Sequence, residues 1–215
     1  MHRISMLDGA ELPVNKVMAV GRNYAAHAAE MNAAAEPVIF SKPVTSLVSP
    51  GEPIILPRER GSIHYECELL VWLKDGGTNL KAEEAAALVA AYGLGLDLTL
   101  RDIQAEAKAK GRPWTLAKGF DGSMPVSRFV PVGAVDNPDQ LEFSFTLNDE
   151  VKQKGKVSNM ILPIGELLSY ISQWITLERG DLILTGTPEG VGPVSPGDNA
   201  LMVLHNHLEQ PLHFS

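Results

Sequence analysis

The sequence is poor in cysteine, in long apolar runs and in blocks of like charge, and each shortage excludes a class of protein. Its 215 residues contain one cysteine, Cys67, so the chain cannot form an internal disulfide, and a lone thiol suits a reducing compartment. No apolar run approaches the roughly 20 residues of a membrane-spanning helix. The opening stretch MHRISMLDGAELPV lacks the apolar segment of a secretory signal, and we expect a cytoplasmic protein.

Net charge and composition exclude further classes of protein. The formal net charge of −8 disfavours binding to nucleic acid or to an anionic membrane, although a local metal ion or basic cluster can still attract a small anion. Hydrophobic residues make up 45% of the chain, which is enough for a sizeable core. Neither a repeat nor a low-complexity linker divides the chain, so we expect one domain over residues 1–215.

Short strands broken by proline and glycine dominate the predicted secondary structure. Apolar or alternating runs predict strands near residues 16–20, 38–42, 53–56, 63–73, 91–98, 141–147, 181–185 and 200–205. Helices are predicted over 81–91, 100–110 and 163–175, with Thr99 as the N-cap of the second. The pair Asn148-Asp149 is typical of a hairpin turn. Because helices do not alternate regularly with strands, we predict a β-rich α+β fold.

Two carboxylates, Glu66 and Glu68, interrupt a run that otherwise resembles a buried strand. Alternate residues of a strand share a face, so both side chains can converge on one ion while Cys67 points away. Asp97, at the end of another apolar strand, is a third candidate ligand. Three carboxylates without cysteine or histidine form a hard-oxygen site that suits Mg²⁺ or Mn²⁺. The alternatives are a solvated edge strand for the glutamates and an N-cap or turn role for Asp97.

Three further stretches contain residues that are candidates for catalysis or substrate binding. His27 and Glu30 are spaced i, i+3, so on a helical turn the glutamate can orient the imidazole; the alternative is a surface pair. Lys118 lies among apolar residues, where it either snorkels to solvent or pairs with a substrate carboxylate. The segment LTGTPEGVGPV (184–194) is neither a Walker loop nor GxGxxG, which argues against nucleotide binding. Its glycines can let backbone N–H groups approach an oxyanion.

In their order along the chain, these motifs resemble the fumarylacetoacetate hydrolase family, in particular its small single-domain branch of acylpyruvate hydrolases and oxaloacetate decarboxylases or tautomerases. The matching stretches are GRNYAAHAAEM (21–31), EPVIFSKP (36–43), IHYECEL (63–69), LDLTLRDIQ (96–104), PWTLAKGFD (113–121) and LTGTPEGVGP (184–193). The resemblance implies a mixed β-sandwich roll like the C-terminal domain of the family, usually assembled as a homodimer.

The resemblance also implies roles for single residues. Glu66, Glu68 and Asp97 are expected to bind Mg²⁺ or Mn²⁺. The expected catalytic groups are His27 and Glu30, which form a dyad on a mobile lid, and Lys118 near the metal. Substrate contacts are expected from Arg22, Arg101, Gln104 and Thr187.

The function implied is that of a metal-dependent enzyme that acts on small 2-oxo acids through a metal-stabilised pyruvate enolate. The expected reactions are C–C hydrolysis of acylpyruvates, such as acetyl- or fumarylpyruvate, and decarboxylation of oxaloacetate. One alternative is keto-enol tautomerisation of oxaloacetate without C–C cleavage. Another is a catalytically silent metal-binding β domain. The expected partners are a small 2-oxo acid and a second copy of the chain, with neither nucleic acid nor membrane.

Overall fold

Short strands make up most of the structure, a computed structural model that describes residues 2–25 and 37–215. In chain order the strands are β1 (Arg3–Ser5), β2 (Glu11–Pro13), β3 (Val17–Gly21), β4 (Val38–Lys42), β5 (Leu47–Val48), β6 (Ile63–Tyr65), β7 (Cys67–Leu73), β8 (Val89–Leu96), β9 (Thr99–Leu100), β10 (Met124–Pro125), β11 (Val130–Pro131), β12 (Glu142–Leu147), β13 (Glu150–Lys156), β14 (Leu182–Leu184), β15 (Gly192–Pro193), β16 (Asn199–Leu204) and β17 (Leu208–His213). This content confirms the predicted β-rich α+β class.

Short helices connect the strands. They are α1 (Ala82–Ala86), α2 (Arg101–Ala109), α3 (Thr115–Lys118) and α4 (Ile164–Ser172), and single 3-10 turns lie at Val44–Ser46, Val132–Ala134, Pro138–Gln140 and Val157–Asn159. The apolar side of α4 is buried, as its spacing predicted. Among the helices of the described ranges, none combines the length and the apolar character needed to cross a bilayer.

A six-stranded mixed sheet forms the centre of the structure, in the order β11-β8-β7-β14-β3-β4. Strands β14 and β3 pair in parallel, and the other neighbours are antiparallel. Strand β7 is buried along its whole length: Leu69 and Val71 lie in one hydrophobic core, whereas Leu70 and Trp72 lie in a second. Burial on both faces explains why this stretch is continuously apolar instead of alternating.

A four-stranded antiparallel sheet, β13-β12-β16-β17, packs against the central sheet. Its Phe143, Phe145 and Met202 belong to the same core as Leu69 of β7. Strands β12 and β13 form a hairpin whose turn residues, Asn148 and Asp149, have φ values of 48° and 64°. These positive values confirm the predicted turn, and the two packed sheets agree with the predicted sandwich.

Three predicted elements differ in extent from those observed. Helix α1 ends at Ala86, far short of residue 91, because β8 begins at Val89 and its residues are buried in the central sheet. Residues 53–56 contribute only an isolated bridge between Ile54 and Phe214. The predicted strand 63–73 is interrupted at Glu66, which separates β6 from β7. This interruption lies at the candidate metal site.

Candidate metal and substrate site

Three buried carboxylates, those of Glu66, Glu68 and Asp97, converge at the end of the central sheet where β7 begins and β8 ends. The backbone N–H of Asp97 donates to the carbonyl oxygen of Glu66 over 2.8 Å, which extends the β7–β8 ladder by one pair and places these acids opposite each other. One oxygen from each of the three residues lies within 4.8 Å of the others, and none of the residues is more than 6% exposed. The structure therefore brings the three predicted ligands together.

The carboxylate of Glu66 is held by two cations. Arg101 Nη2 lies 2.7 Å from Glu66 Oε1, and Lys118 Nζ lies 2.7 Å from Oε2. Burial opposes ionisation of Glu66, but the charges of Lys118 and Arg101 outweigh it and lower the pKa of Glu66 to about 2. Glu66 is therefore a carboxylate at neutral pH even without a bound ion.

The carboxylate of Glu68 has a different environment. Its Oε2 accepts a 2.6 Å hydrogen bond from the backbone N–H of Gly186, and among the described residues no cationic side chain forms a salt bridge with it. Burial raises the pKa of Glu68 well above its usual range, and the charges of Asp97 and Glu66 raise it further. A divalent cation would offset this penalty, and three oxygen donors suit a hard cation, so the residues fit Mg²⁺ or Mn²⁺.

Two lysines contact the two carboxylate oxygens of Asp97. Lys118, the last residue of α3, places Nζ 2.5 Å from Asp97 Oδ2, and its side chain is only 3% exposed, so it does not snorkel. Burial lowers the pKa of Lys118, but Asp97 and Glu66 more than reverse this effect and raise it overall. Lys42, at the end of β4, lies 2.7 Å from Asp97 Oδ1 and also donates to the carbonyl oxygen of Lys118. Sequence reasoning missed Lys42, although EPVIFSKP places it at the end of an apolar strand.

Helix α2 brings further basic and polar groups to the Glu66 side of the cluster. Arg101 Nη1 donates to Gln104 Oε1 over 2.8 Å, and Gln104 is buried. Arg22 follows β3 with a φ of 70°. Gly21, which precedes Arg22, and Lys108 both lie beside Trp114: a Cβ built at Gly21 would lie 3.6 Å from its ring, and Lys108 Nζ lies 5.2 Å from the ring centre. Burial lowers the pKa of Lys108, and the charges of Arg101 and Arg22 lower it further. The three predicted substrate contacts Arg22, Arg101 and Gln104 thus lie on this side, and Lys108 is an additional cation that the motifs did not reveal.

The loop after β14 holds the Glu68 side in place. Thr187 Oγ1 donates to the carbonyl oxygen of Cys67 over 2.9 Å and accepts from Gln153 Nε2 over 2.8 Å. Gly186 has a φ of 100°, and a Cβ added there would lie 2.7 Å from Cβ of Asn23. The predicted substrate residue Thr187 therefore uses its hydroxyl proton within the protein, where it fixes the loop that carries the Gly186 N–H.

Asn23 and Tyr24 pack against this loop. Asn23 Nδ2 donates to the carbonyl oxygens of Thr185 and Leu162 over 2.8 and 3.1 Å, and its Oδ1 accepts from the N–H of Leu162 over 2.7 Å. Tyr24 is 3% exposed, and its hydroxyl has no hydrogen-bond partner among the described residues. Burial raises the pKa of Tyr24, and the charge of Glu68 raises it further, so the phenol stays protonated. The catalytic candidates His27 and Glu30 lie outside the described residues.

The chain matches a known protein family and several named proteins. Residues 16–209 match the family described as fumarylacetoacetate (FAA) hydrolase C-terminal. The mitochondrial oxaloacetate tautomerase of Homo sapiens is 47% identical over 194 residues, which cover 88% of this chain and 86% of that protein. The oxaloacetate tautomerase of Escherichia coli (strain K12) is 42% identical over 200 residues, covering 92% and 91%. The crystal structure of fumarylpyruvate hydrolase from Pseudomonas aeruginosa in complex with Mn²⁺ and pyruvate superposes with a TM-score of 0.94 at 34% identity, covering 99% of this chain and 95% of that one.

Proposed function

This chain belongs to the fumarylacetoacetate hydrolase family, and on that premise we propose that it is a Mg²⁺- or Mn²⁺-dependent enzyme acting on small 2-oxo acids. The proposed reactions are C–C hydrolysis of acylpyruvates and decarboxylation of oxaloacetate. The observation that carries the proposal is the buried cluster of Glu66, Glu68 and Asp97, in which Glu68 has no cationic partner among the described residues. A silent binding domain is disfavoured, because the family and the named relatives are enzymes.

Glu66, Glu68 and Asp97 would hold the metal ion. When bound, the ion supplies a Lewis acid that stabilises negative charge on an oxygen of the 2-oxo acid. The choice between Mg²⁺ and Mn²⁺ depends on which ion is supplied, since both accept carboxylate ligands. The Pseudomonas aeruginosa fumarylpyruvate hydrolase in complex with Mn²⁺ and pyruvate supports this class of ion.

The basic groups beside Glu66 would bind the substrate carboxylate. Arg101 offers a planar guanidinium, which matches a carboxylate in geometry, and Gln104 adds an amide donor. Arg22 lies on the same side and adds positive charge. Lys118, charged and buried between Glu66 and Asp97, would stabilise negative charge that develops on the substrate. Thr187 would act through the loop that it anchors beside the substrate.

We further propose that His27 moves the proton and that Glu30 orients its imidazole. The support is their i, i+3 spacing in NYAAHAAEM. For an acylpyruvate, His27 would activate the water that attacks the C4 carbonyl. The C3–C4 bond would then break, releasing a carboxylic acid and the enolate of pyruvate, which takes up a proton at C3. For a tautomerisation, it would remove and return a proton at C3.

Keto-enol tautomerisation of oxaloacetate is the second candidate function. The specific observation in its favour is that relatives at 47% and 42% identity are named oxaloacetate tautomerases. The two functions need the same metal and carboxylate contacts, so the residues described above do not distinguish them.

A substrate panel separates the candidates. Purified protein with Mg²⁺ is given acetylpyruvate, fumarylpyruvate, and the keto and enol forms of oxaloacetate, while pyruvate release and enol absorbance are followed separately. Pyruvate from an acylpyruvate indicates hydrolysis, and enol decay without pyruvate indicates tautomerisation. The Glu68→Gln variant is the control and should be inactive throughout. Absence of both signals in the wild-type protein would refute the proposed enzyme class.

We also propose that two copies associate at the open edge of the central sheet. Strand β4 is the last strand of that sheet and, among the described residues, pairs only with β3. A cavity of ≈ 890 Å³ lies along it, with Met18, Ile39 and Phe40 in its lining. Trp174, also in this lining, is 74% exposed. Light scattering should report a dimer that Trp174→Glu converts to a monomer; an unchanged mass in the variant would place the interface elsewhere.

The remaining proposals concern organisation and location. One domain over residues 1–215 is supported by a hydrophobic core whose members run from Met18 to Phe214. It predicts a single cooperative unfolding transition. A cytoplasmic location is supported by the lone, buried Cys67. Fractionation of the native host would test it.

A further inference from the structure

Tyr24 directly follows Asn23, which packs against the loop that holds Glu68, and its hydroxyl is unsatisfied among the described residues. Tyr24 is 3% exposed, and no group in the described ranges accepts or donates a hydrogen bond at its oxygen. A buried hydroxyl without a partner is costly, so a native protein that keeps one often uses it. The ring itself packs in the large core, and phenylalanine would supply the same packing without the unsatisfied group.

The position of Tyr24 is fixed from both sides. The preceding residue, Asn23, makes three hydrogen bonds through its side chain, and Tyr24 itself forms a backbone bridge with Met160. Asn23 also packs against Gly186, whose N–H holds Glu68. These contacts place the backbone of Tyr24 on the Glu68 side of the carboxylate cluster.

A pocket of ≈ 330 Å³ lies at this position and is lined by Tyr24, Ala25, Lys154, Asn159, Pro188 and Glu189. Pro188 and Glu189 directly follow Thr187 in the loop that borders the carboxylate cluster. The pocket has the size of a small-ligand site. Its one lysine and one glutamate balance in charge, so the pocket suits a neutral or partly charged oxygen better than an isolated full charge.

The two sides of the cluster suggest how a substrate is oriented. Arg101, Gln104 and Arg22 lie on the Glu66 side, where the carboxylate next to the 2-oxo group would bind. The chain of a 2-oxo acid then continues towards the Glu68 side, where Tyr24 lies. In oxaloacetate and in acylpyruvates alike, C4 bears an oxygen that accepts hydrogen bonds.

We propose that Tyr24 is a substrate-contacting residue whose hydroxyl donates a hydrogen bond to the oxygen on C4 of the substrate, and that the adjoining pocket receives the group attached to C4. This inference rests on the proposed function, because it requires a 2-oxo acid bound at the carboxylate cluster of Glu66, Glu68 and Asp97. It assigns the Tyr24 pocket as the part of the site that distinguishes one acyl group from another.

The test compares Tyr24→Phe with the wild-type protein. The variant should lose about 10- to 100-fold in kcat/KM on the substrate that the wild type turns over, since one hydrogen bond to a charged or developing anionic oxygen is lost. Calorimetry with Mg²⁺ and oxalate should give an affinity within about twofold of wild type, because oxalate has no C4. The melting temperature should be unchanged or higher, since the hydroxyl has no hydrogen-bond partner to lose within residues 2–25 and 37–215.

Tyr92→Phe is the matched control. Tyr92 is also buried, at 4% exposure, but lies within β8, five residues before Asp97, and should tolerate the change with unchanged kinetics and oxalate affinity. Equal kcat/KM in Tyr24→Phe and wild type would overturn the inference while leaving the proposed function intact. Equal losses of oxalate and substrate affinity in Tyr24→Phe would also overturn it, because they indicate that the substitution disturbs the metal-binding carboxylates themselves. An inactive wild type would instead overturn the proposed function.

Discussion

Glu66 and Glu68 are two residues apart in sequence, yet the protein stabilises their negative charges by different means. Glu66 is paired with Arg101 and Lys118 at 2.7 Å each, and its pKa is lowered to about 2. Glu68 accepts one backbone hydrogen bond from Gly186, and burial together with Asp97 and Glu66 raises its pKa. One half of the cluster is electrostatically complete without a ligand, whereas the other requires a proton or a cation.

The difference has a chemical consequence. The Glu66 side carries Arg101 and Lys118, so it suits recognition of the carboxylate that is common to all 2-oxo acids. The Glu68 side is bordered by a glycine loop and by neutral donors, so it suits the variable part of a substrate. A divalent ion placed between them would be attracted mainly by Glu68, which forms no salt bridge with a side chain of the described residues. The experiments below perturb one side at a time.

Removing the charge of Glu68 should have the largest effect. Glu68→Gln retains the shape of the side chain but removes the negative charge of a ligand. Mg²⁺ affinity should therefore fall by more than the roughly 100-fold typical of changes to groups that only support a ligand, and turnover should be lost. Calorimetric titration with Mg²⁺ measures the affinity. Normal Mg²⁺ binding by this variant would remove Glu68 from the ligand set.

The second-largest effect is expected from removing Lys118, the cation that Glu66 and Asp97 share. Lys118→Met leaves both buried carboxylates short of one partner, and breaking such pairs costs about 3–5 kcal/mol. Metal-free protein should therefore unfold at much lower urea concentration. Because a positive charge has been removed, added Mg²⁺ should stabilise the variant more than it stabilises wild type. A variant as stable as wild type without metal would show that the pairing contributes little.

A glycine pair tests the loop on the Glu68 side. Gly186→Ala and Gly197→Ala both introduce a side chain at a φ near 100° (100° and 94°). The new Cβ at position 186 would lie 2.7 Å from Cβ of Asn23, whereas the one at position 197 has no described residue within 4 Å. The first should be the less stable by about 1–3 kcal/mol and should bind Mg²⁺ about 10- to 100-fold more weakly. Equal unfolding free energies and equal Mg²⁺ affinities would show that the contact with Asn23 is unimportant.

The release of a proton from Glu68 when Mg²⁺ binds should be the smallest of these effects. In metal-free protein the pKa of Glu68 is raised above its ordinary value of 4.5, so the folded state retains a proton that the unfolded state loses. Stability without metal should therefore fall as pH rises from the ordinary towards the raised value. Within that window, Mg²⁺ should displace up to about one proton per ion. Titrations in two buffers of different ionisation enthalpy measure this release; identical heats throughout the window would contradict it.

The sequence predicted the acid cluster but explained it incompletely. Strand periodicity placed Glu66 and Glu68 on one face, yet Glu66 lies at a break between β6 and β7. Its approach to Asp97 results from pairing across the β7–β8 ladder. Such pairing depends on register, which a single sequence does not reveal. The cap predicted at Thr99 is wrong, because its hydroxyl donates to the carbonyl oxygen of Asp97.

Lys42 and Tyr24 were not identified from the sequence, and the reason is the same for both. Lys42 reaches Asp97 across 55 positions of the chain. Tyr24 is singled out because its hydroxyl lacks a partner among the residues that the structure describes. Neither property leaves a local pattern. The hairpin at Asn148-Asp149 was predictable because its conformation depends on those residues themselves. Helix α1 was predicted too long, since tertiary pairing of β8 overrides the helix propensity of its alanines.

The most direct test of the central claim is anomalous diffraction from a crystal grown with Mn²⁺ and oxalate. The account predicts one strong manganese peak within bonding distance of oxygens from Glu66, Glu68 and Asp97, with oxalate completing the coordination. An empty cluster, or a peak bound by other residues, would contradict it.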